Sequence, residues 1–234
     1  MPLRGLPPAP GECHVWPVRL TGAAAWSGLL DDAERRRAES IRVVRARDTF
    51  IVSRAAQRLV MSRYLDCAPD ALVIRRACAH CGSTEHGRPA AGPGAPDYSV
   101  SHSGEWVLLA AVGSGRVGVD IEHCRPRAGV ALLAGRTLTT AERAEFGALP
   151  DSSRSGWFYR VWTRKEAVVK ATGQDLAATA STLDVSADMV AVAPTDAVPG
   201  GLIHLRDLPA PGPYAAALAS TEPVRAVRVC EPAG

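Results

Sequence analysis

The sequence predicts an α+β fold built in two halves. Two long segments have helical periodicity, residues 31–65 and 157–172, and each is accompanied by short apolar runs typical of strands. The first helix is expected to stop before Pro69. The second is expected to end at Gly173, because a glycine readily adopts the left-handed conformation that closes a helix. A chain of 234 residues is long enough for one large domain or two small ones.

A hairpin is expected at the centre of the chain. Residues 106–112 form an apolar run, residues 116–122 alternate, and Gly113-Ser114-Gly115 lies between them. We place the boundary between the halves here, which gives an N-terminal half over residues 1–112 and a C-terminal half over residues 113–234. A short helix is expected over residues 140–149, capped by Thr139 or Thr140. Further strands are expected over residues 72–74, 182–185, 202–205, 214–219 and 224–229.

Composition narrows the class of protein. Apolar residues make up 47% of the chain and charged residues 22%, which favours a packed core over disorder. A net charge of +3 is too weakly basic to indicate nucleic acid by itself, but it suits an anionic substrate and an acidic protein partner. No run is long enough to span a membrane and no signal peptide is recognisable. We therefore expect a cytoplasmic enzyme whose cysteines are thiols.

Two carboxylates are expected on one face of the strand over residues 116–122. Asp120 and Glu122 are two positions apart and share a face, while Val119 and Ile121 point into the core. Two such acids repel each other unless a cation lies between them, and Mg²⁺ prefers a few carboxylates together with a substrate phosphate. Gly118 is expected to leave open space for a ligand. A solvent-facing acidic strand is the alternative that the pattern leaves open.

The second long helix carries a stripe at i, i+4 spacing, formed by Phe158, Trp162, Glu166 and Lys170. A surface Glu–Lys pair on an amphipathic helix is one interpretation. If the stripe instead faces the acidic strand, Glu166 becomes a third acid there. Lys170 then lies one turn further along, where it can meet a phosphate.

His102 lies among small hydroxyl residues, in S-V-S-H-S-G over residues 99–104. No GxSxG motif occurs, which argues against a triad hydrolase. A histidine that donates to a phosphate oxygen fits better, and a structural histidine in a turn is the alternative. Arginines are dense over residues 35–63, where some could clamp a phosphate and others belong to a solvated helix face.

A CxxC pair, Cys78 and Cys81, is followed by His86 and has the spacing of half a zinc site. No second CxxC or HxxxH follows, so an ordinary loop without zinc is the expectation.

Four motifs occur in order along the chain: H-G-R-P (86–89), S-V-S-H-S-G (99–104), V-G-V-D-I-E (117–122) and W-T-R-K-E-A-V-V-K-A-T-G (162–173). Together they resemble the 4′-phosphopantetheinyl transferase superfamily, in its larger, surfactin-synthetase-activating type, over roughly residues 35–220. The last two motifs are the diagnostic pair. The resemblance implies a monomeric pseudo-dimer of two similar halves, each with a long helix packed on a small antiparallel sheet. Coenzyme A would lie in the cleft between them.

The resemblance also implies roles for individual residues. Asp120, Glu122 and Glu166 match the magnesium ligands, and Glu166, Lys170 and Asp120 match catalytic positions. The positions that match coenzyme A contacts are Arg47, Arg54, Arg88, Pro89, Ser101, His102, Asp120 and Lys170. One departure concerns the basic residue that often precedes the aromatic residue of the first helix, since Thr49 precedes Phe50 here. This leaves the contacts to the 3′-phosphate open.

The implied reaction is the transfer of 4′-phosphopantetheine from coenzyme A to a serine of an acyl, polyketide or peptidyl carrier protein, as in holo-[acyl-carrier-protein] synthases. It depends on Mg²⁺ and releases 3′,5′-ADP. The serine proton would go to Glu166 or to a metal-activated water. Two alternatives remain: a nucleotide pyrophosphatase that uses the same acids, and a zinc-knuckle module with a basic helix that binds nucleic acid. The natural carrier is left open.

Overall fold

The computed structural model describes residues 5–78, 81–84, 87–125, 129–196 and 198–231. The strands of this part of the chain are β1 (Glu12–Arg19), β2 (Arg75–Ala77), β3 (Arg88–Ala90), β4 (Asp97–Ser103), β5 (Trp106–Val112), β6 (Val117–His123), β7 (Met189–Ala191), β8 (Leu202–Leu208), β9 (Tyr214–Ser220) and β10 (Ala226–Val229). Its α-helices are α1 (Ala23–Trp26), α2 (Asp32–Ser40), α3 (Val44–Leu65), α4 (Val130–Thr137), α5 (Thr140–Ala148), α6 (Asp151–Thr172) and α7 (Leu176–Thr179).

The first four-stranded sheet has the order β10-β1-β5-β4. β5 is antiparallel to both of its neighbours, and β10 is parallel to β1. The long helix α3 covers one face of this sheet, because Val60 and Met61 pack against Leu109 and Ala111 of β5. Strand β10 comes from the C-terminal end of the chain, so the last described strand lies in the same sheet as the first.

The second four-stranded sheet has the order β6-β9-β8-β7 and is antiparallel throughout. Helix α6 packs on it through Phe158 and Val168, which bury against Ile203, Ala217 and Ala219. The small alanine side chains on β9 allow the helix to lie close to the sheet.

A third apolar cluster joins the two sheets. It includes Val15 and Leu108 from the first sheet and Val119, Ile121 and Leu218 from the second. Because alternate residues of a strand face opposite sides, β5 contributes to both the α3 core and this shared core. The predicted α+β class, with long helices on small, mainly antiparallel sheets, is confirmed. The two sheets pack directly on each other.

The segment predicted as one helix over residues 31–65 consists of two helices. Asp31 caps α2 in a capping box with Glu34, and the backbone is extended at Ile41 before α3 begins. Buried Arg58 on α3 pairs with both Asp31 and Glu34. On one straight helix Asp31 and Arg58 would lie roughly 40 Å apart. The prediction of helicity was correct, but the fold-back that this ion pair requires was missed.

The predicted hairpin over residues 106–122 is wrong. Both strands exist, but β5 is already paired on both edges, with β1 and with β4. Strand β6 pairs with β9 in the other sheet. The turn at Gly113-Ser114-Gly115 therefore connects two sheets rather than two partners of one ladder.

Two further predicted strands, over residues 72–74 and 182–185, are also wrong. Buried side chains bind their carbonyl oxygens, so these segments form loops. Arg58 donates to Leu72 O at 2.7 Å, and Lys165 donates to Leu183 O at 2.6 Å. The strands predicted over residues 202–205, 214–219 and 224–229 are confirmed with shifted ends. No helix in the described part of the chain is long and apolar enough to cross a bilayer.

Candidate active site

Strand β6 carries Asp120 and Glu122 on the side that faces β4. Asp120 is only 3% exposed, and Glu122 is half-buried. Val119 and Ile121 lie in the shared core, as the alternation predicted. A solvent-facing acidic strand is therefore excluded for Asp120.

Gly118 lies against helix α6. A Cβ atom at this position would overlap the carbonyl oxygen of Ala167 and come within 2.6 Å of the Ala171 nitrogen. The expectation that Gly118 leaves open space for a ligand is wrong, because helix backbone occupies that space. The glycine instead allows α6 to approach β6 closely, which brings the acids and the Glu166–Lys170 face together.

Asp120 is the centre of the polar contacts. Its Oδ1 accepts hydrogen bonds from Lys170 Nζ at 2.7 Å and from Ser101 Oγ at 2.6 Å. Lys170 also donates to Val119 O at 3.2 Å. The second carboxylate oxygen, Oδ2, is buried and has no hydrogen-bond partner among the described residues. A buried carboxylate oxygen without a partner is costly, and it marks a position where a cation or a donor would be stabilised.

Glu166 is half-buried one turn before Lys170 on α6. Burial, and next the negative charge of Asp120, raise the pKa of Glu166 above its ordinary value of 4.5; Lys170 opposes this and Glu122 adds to it. The three acids are thus close enough to influence one another. Within the described residues, no three His, Cys, Asp or Glu side chains already surround a single ion position. The predicted convergence of the three carboxylates on one ion position is therefore not seen among the described residues.

Ser101 and His102 lie on opposite faces of β4, as neighbours on a strand must. Ser101 faces β6 and bonds to Asp120. His102 lines a cavity of about 710 Å³ with Phe50 and Arg54. Desolvation, and then the nearby charge of Lys170, lower the pKa of His102, so the ring is neutral over most of the physiological range.

A second cavity of about 840 Å³ lies next to the first and is lined by Arg88, Pro89 and Lys170. The two cavities adjoin because Arg76 and Val100 line both of them. The predicted residues Arg54, Arg88, Pro89, His102 and Lys170 thus line one extended cleft. Ser101, Asp120, Glu122 and Glu166 are not among the described residues that line it.

The Arg88 guanidinium forms hydrogen bonds and an ion pair within the protein. It donates to Lys170 O at 2.6 Å and to Val117 O at 2.8 Å, and it pairs with Asp97. These bonds tie β3 and β4 to β6 and α6. The side chain lines the cleft, as expected of a coenzyme contact, while most of its donors are already used.

The arginines of α3 differ in their position relative to the smaller cavity. Arg54 lines the smaller cavity, with its guanidinium 5.2 Å from the centre of the Phe50 ring. Arg47 is not among the described residues that line either cavity. Arg45 lines the smaller one and donates to Gly104 O at 3.0 Å. Arg45 is thus better placed than Arg47 at this end of the cleft.

Comparison with known proteins supports the motif assignment. The model of the 4′-phosphopantetheinyl transferase superfamily matches residues 116–217, the segment that carries Asp120, Glu122, Glu166 and Lys170. Over this segment, which is less than half of the chain, the protein is similar to the 4′-phosphopantetheinyl transferase superfamily. Helix α3 and strands β3 and β4, with the remaining predicted coenzyme contacts, lie outside the matched segment.

Three relatives of this superfamily illustrate the range of similarity. A putative 4′-phosphopantetheinyl transferase of Synechocystis is 29% identical over 64% of this chain and 60% of its own length. The transferase AcpT of Escherichia coli is 42% identical over 38% of this chain and 46% of its own length. The transferase Sfp of Bacillus subtilis is 34% identical over 39% of this chain and 40% of its own length. The matched regions span about half of these relatives.

Three basic residues were not predicted from the sequence pattern. Arg76 on β2 lines both cavities, and its Nε is buried without a hydrogen-bond partner in the described structure. Lys165 and Arg164, inside the motif on α6, are almost fully buried. Their position offered a signal, because residues adjacent to Glu166 on a helix cannot share its face.

Lys165 and Arg164 hold the surroundings of α6. Lys165 Nζ lies 2.7 Å from a carboxylate oxygen of Glu142 and donates to Ala180 O at 2.6 Å. Arg164 donates to Val185 O at 2.8 Å and pairs with Asp207. These contacts fix the helix on two sides while Glu166 faces the acidic strand. The remaining members of the candidate zinc loop, His80 and His86, lie outside the described residues, so the absence of zinc stays a prediction.

Proposed function

We propose that the chain transfers 4′-phosphopantetheine from coenzyme A to a serine of an acyl, polyketide or peptidyl carrier protein, with Mg²⁺, and releases 3′,5′-ADP. This is the activity of a holo-[acyl-carrier-protein] synthase. Similarity to the superfamily over residues 116–217 supports it, as does similarity to the 4′-phosphopantetheinyl transferases AcpT and Sfp.

The observation that carries the proposal is the pairing of Asp120 with Lys170 at the junction of the two sheets. A lysine on one oxygen of a buried aspartate, with the other oxygen left without a partner, suits a site that binds a cation and a phosphate side by side. The adjoining cavities, of about 840 and 710 Å³, are together large enough for an extended nucleotide.

The donor set fits magnesium. Asp120 Oδ2 is buried without a partner among the described residues, and the pKa of Glu166 is raised by burial first and then by the negative charge of Asp120. Hard oxygen ligands of this kind are the ones that Mg²⁺ selects. Asp120, Glu122 and Glu166 would hold the ion. When bound, Mg²⁺ would neutralise charge on the pyrophosphate of coenzyme A and polarise its oxygens.

The residues of the chain would then position the reactants. Lys170 is placed to neutralise a phosphate oxygen beside Asp120, and neutral His102 can donate one hydrogen bond from the adjoining cavity. The serine oxygen of the carrier forms a bond to the phosphorus that bears the pantetheine arm. The bond from this phosphorus to the bridging oxygen breaks, and that oxygen leaves with 3′,5′-ADP. Positioning and charge stabilisation supply most of the acceleration in such transfers.

Deprotonation of the serine needs a base near Asp120. A carboxylate with a raised pKa is better matched to this task than an ordinary one, which favours Glu166. A water molecule activated in the same site is the alternative. In either case Glu166 must be ionised for transfer to proceed.

We further propose that the chain is a monomer of the larger, surfactin-synthetase-activating type. Support comes from the two helix-on-sheet units within one chain, which line both walls of the cleft. Arg88 bonds across this junction to Val117 and Lys170, so one chain supplies both sides.

Incubation of an apo carrier protein with coenzyme A and Mg²⁺ tests the proposal. We expect the carrier to gain the mass of one phosphopantetheine group, and the gain to be lost when the acceptor serine is replaced by alanine. Release of phosphopantetheine without modification of the carrier would instead indicate a pyrophosphatase. Binding of nucleic acid that weakens steeply with salt, without any mass gain, would indicate a binding module.

A further inference from the structure

Strands β4 and β6 lie side by side in different sheets, and side chains of β4 take the place of a backbone ladder. Oxygen atoms on one face of β4 accept hydrogen bonds from backbone N–H groups of β6. In each pair the partners are 20 positions apart. The pairs are Asp97 with Val117 at 2.8 Å, Ser99 with Val119 at 3.1 Å and Ser103 with His123 at 3.1 Å. We name these three pairs the β4–β6 seam.

The constant offset means that the two strands run parallel and in register. The sequence D-Y-S-V-S-H-S over β4 supplies this pattern, because its short polar residues recur at every second position. Short side chains suit the role: they bring an oxygen close to the strand backbone and lose little conformational freedom.

Serines of β4 also bond to the acids of β6. Ser103 Oγ donates to Glu122 Oε2 at 2.7 Å while it accepts from the His123 N–H. Ser101 Oγ donates to Asp120. A hydroxyl group has one proton and two lone pairs, so Ser103 can satisfy both contacts at once. The N–H of His123 fixes the hydroxyl, and the hydroxyl proton then points at the carboxylate.

We propose that Ser103 is a positioning residue, which holds the Glu122 carboxylate in the orientation needed for a divalent cation. This inference rests on the proposed function. Glu122 is half-buried near the end of β6 and has several rotatable bonds, so a hydrogen bond from a fixed hydroxyl narrows the orientations that its carboxylate samples. Partners of this kind typically change metal affinity by about 10–100-fold. Because Ser103 belongs to the first sheet, the packing of the two sheets sets the position of an acid on the second.

The experiment compares Ser103→Ala, Ser103→Thr and Ser99→Ala with the unaltered protein. The probe is Mn²⁺ alone, titrated into each protein and followed by water proton relaxation. Ser99 is the matched control, since it accepts the same kind of seam bond but donates to no acid in the described structure. Urea unfolding of each variant reports the stability lost with the seam bond.

We expect Ser103→Ala to weaken Mn²⁺ binding by about tenfold or more. Ser103→Thr should retain most of the affinity because it keeps the hydroxyl. Ser99→Ala should lose stability without losing affinity. Equal affinity loss in Ser103→Ala and Ser99→Ala, or none in Ser103→Ala, would overturn the positioning role. Failure of the unaltered protein to bind Mn²⁺ would instead contradict the metal site of the proposed function, and the positioning role would fall with it.

Discussion

Lys170 Nζ lies 2.7 Å from Asp120 Oδ1, so the last turn of α6 is ion-paired to the middle of β6. The residues are 50 positions apart in the sequence and belong to different motifs. One oxygen of the aspartate is thus compensated within the chain, and the other is buried without a partner.

Glu166→Gln should stabilise the metal-free protein at neutral pH while it abolishes transfer. The pKa of Glu166 is raised in the folded state, so ionisation of Glu166 opposes folding as the pH rises through that pKa. Glutamine removes this penalty. Thermal unfolding in EDTA should show a Tm increase of a few degrees at pH 8, where each kcal/mol corresponds to roughly 2–4 °C.

The pH dependence of this Tm difference provides a control. Near the ordinary glutamate pKa of 4.5, Glu166 is protonated in the folded protein, so the Tm difference between the two proteins should shrink. A Glu166→Gln variant less stable than the unaltered protein at pH 8 would show that Glu166 makes favourable contacts that outweigh its burial.

Lys165→Met should destabilise the fold strongly, by about 3–5 kcal/mol, because Glu142 is then left buried without its cation. The double variant Lys165→Met with Glu142→Gln should recover much of this loss. Glutamine can keep the hydrogen bond to the Thr139 N–H in the capping box. Urea unfolding measures both values. A double variant as unstable as the single one would mean that the bonds from Lys165 to the 180–183 loop, rather than the ion pair, carry the stability.

Gly118→Ala should impair transfer more than a surface substitution would, because the added methyl group overlaps the backbone of α6 at Ala167. The helix must shift away from β6, and Lys170 then moves from Asp120. A displacement of about 1 Å near a reacting centre can cost about 10²-fold in rate. Gly156→Ala, on the same helix with open space around it, is the matched control. Normal turnover of Gly118→Ala would show that the close approach is dispensable.

Arg136→Glu should raise the KM for an acidic carrier several-fold at low salt and leave the KM for coenzyme A unchanged. Arg136 is exposed on α4, whereas Arg143, Arg154 and Arg160 donate to carbonyl or carboxylate groups of the protein. Long-range attraction would steer the carrier, and salt screens it.

Arg225→Glu is the control for this charge reversal. It precedes β10, at the sheet edge opposite β4, and is exposed there. The steering account predicts that the salt dependence of the carrier KM flattens in Arg136→Glu and not in Arg225→Glu. Equal behaviour of the two variants would place the carrier elsewhere.

The sequence predicted much of the local structure and little of the long-range pairing. Period-two and helical patterns located β5, β6, β9 and α6, because these patterns arise from burial of one face. The hairpin was wrong because no local signal shows that both edges of β5 are already paired. The break between α2 and α3 accompanies the ion pair of Arg58 with Asp31. These residues are too far apart in the sequence for helical periodicity to show that they meet.

The candidate site likewise contains residues that the sequence could predict and residues that it could not. Asp120, Glu122, Glu166 and Lys170 could be proposed from alternation, helical spacing and family resemblance. Arg76 could not, since its role depends on which cavities the fold brings to it. For Lys165 the helical spacing indicated a different face from that of Glu166, but not the carboxylate of Glu142 that it pairs with. Gly118 was recognised as special for the wrong reason, because the sequence does not show what fills the space beside it.

The most direct test of the central claim is intact-mass analysis of an apo carrier protein incubated with coenzyme A, Mg²⁺ and either the unaltered chain or Asp120→Asn. The asparagine keeps the size of the side chain but loses the charge that pairs with Lys170. We predict conversion by the unaltered chain and a rate at least roughly 10²–10³-fold lower for the variant, with its unfolding curve indicating a folded protein. Conversion at the same rate by both proteins would contradict the account.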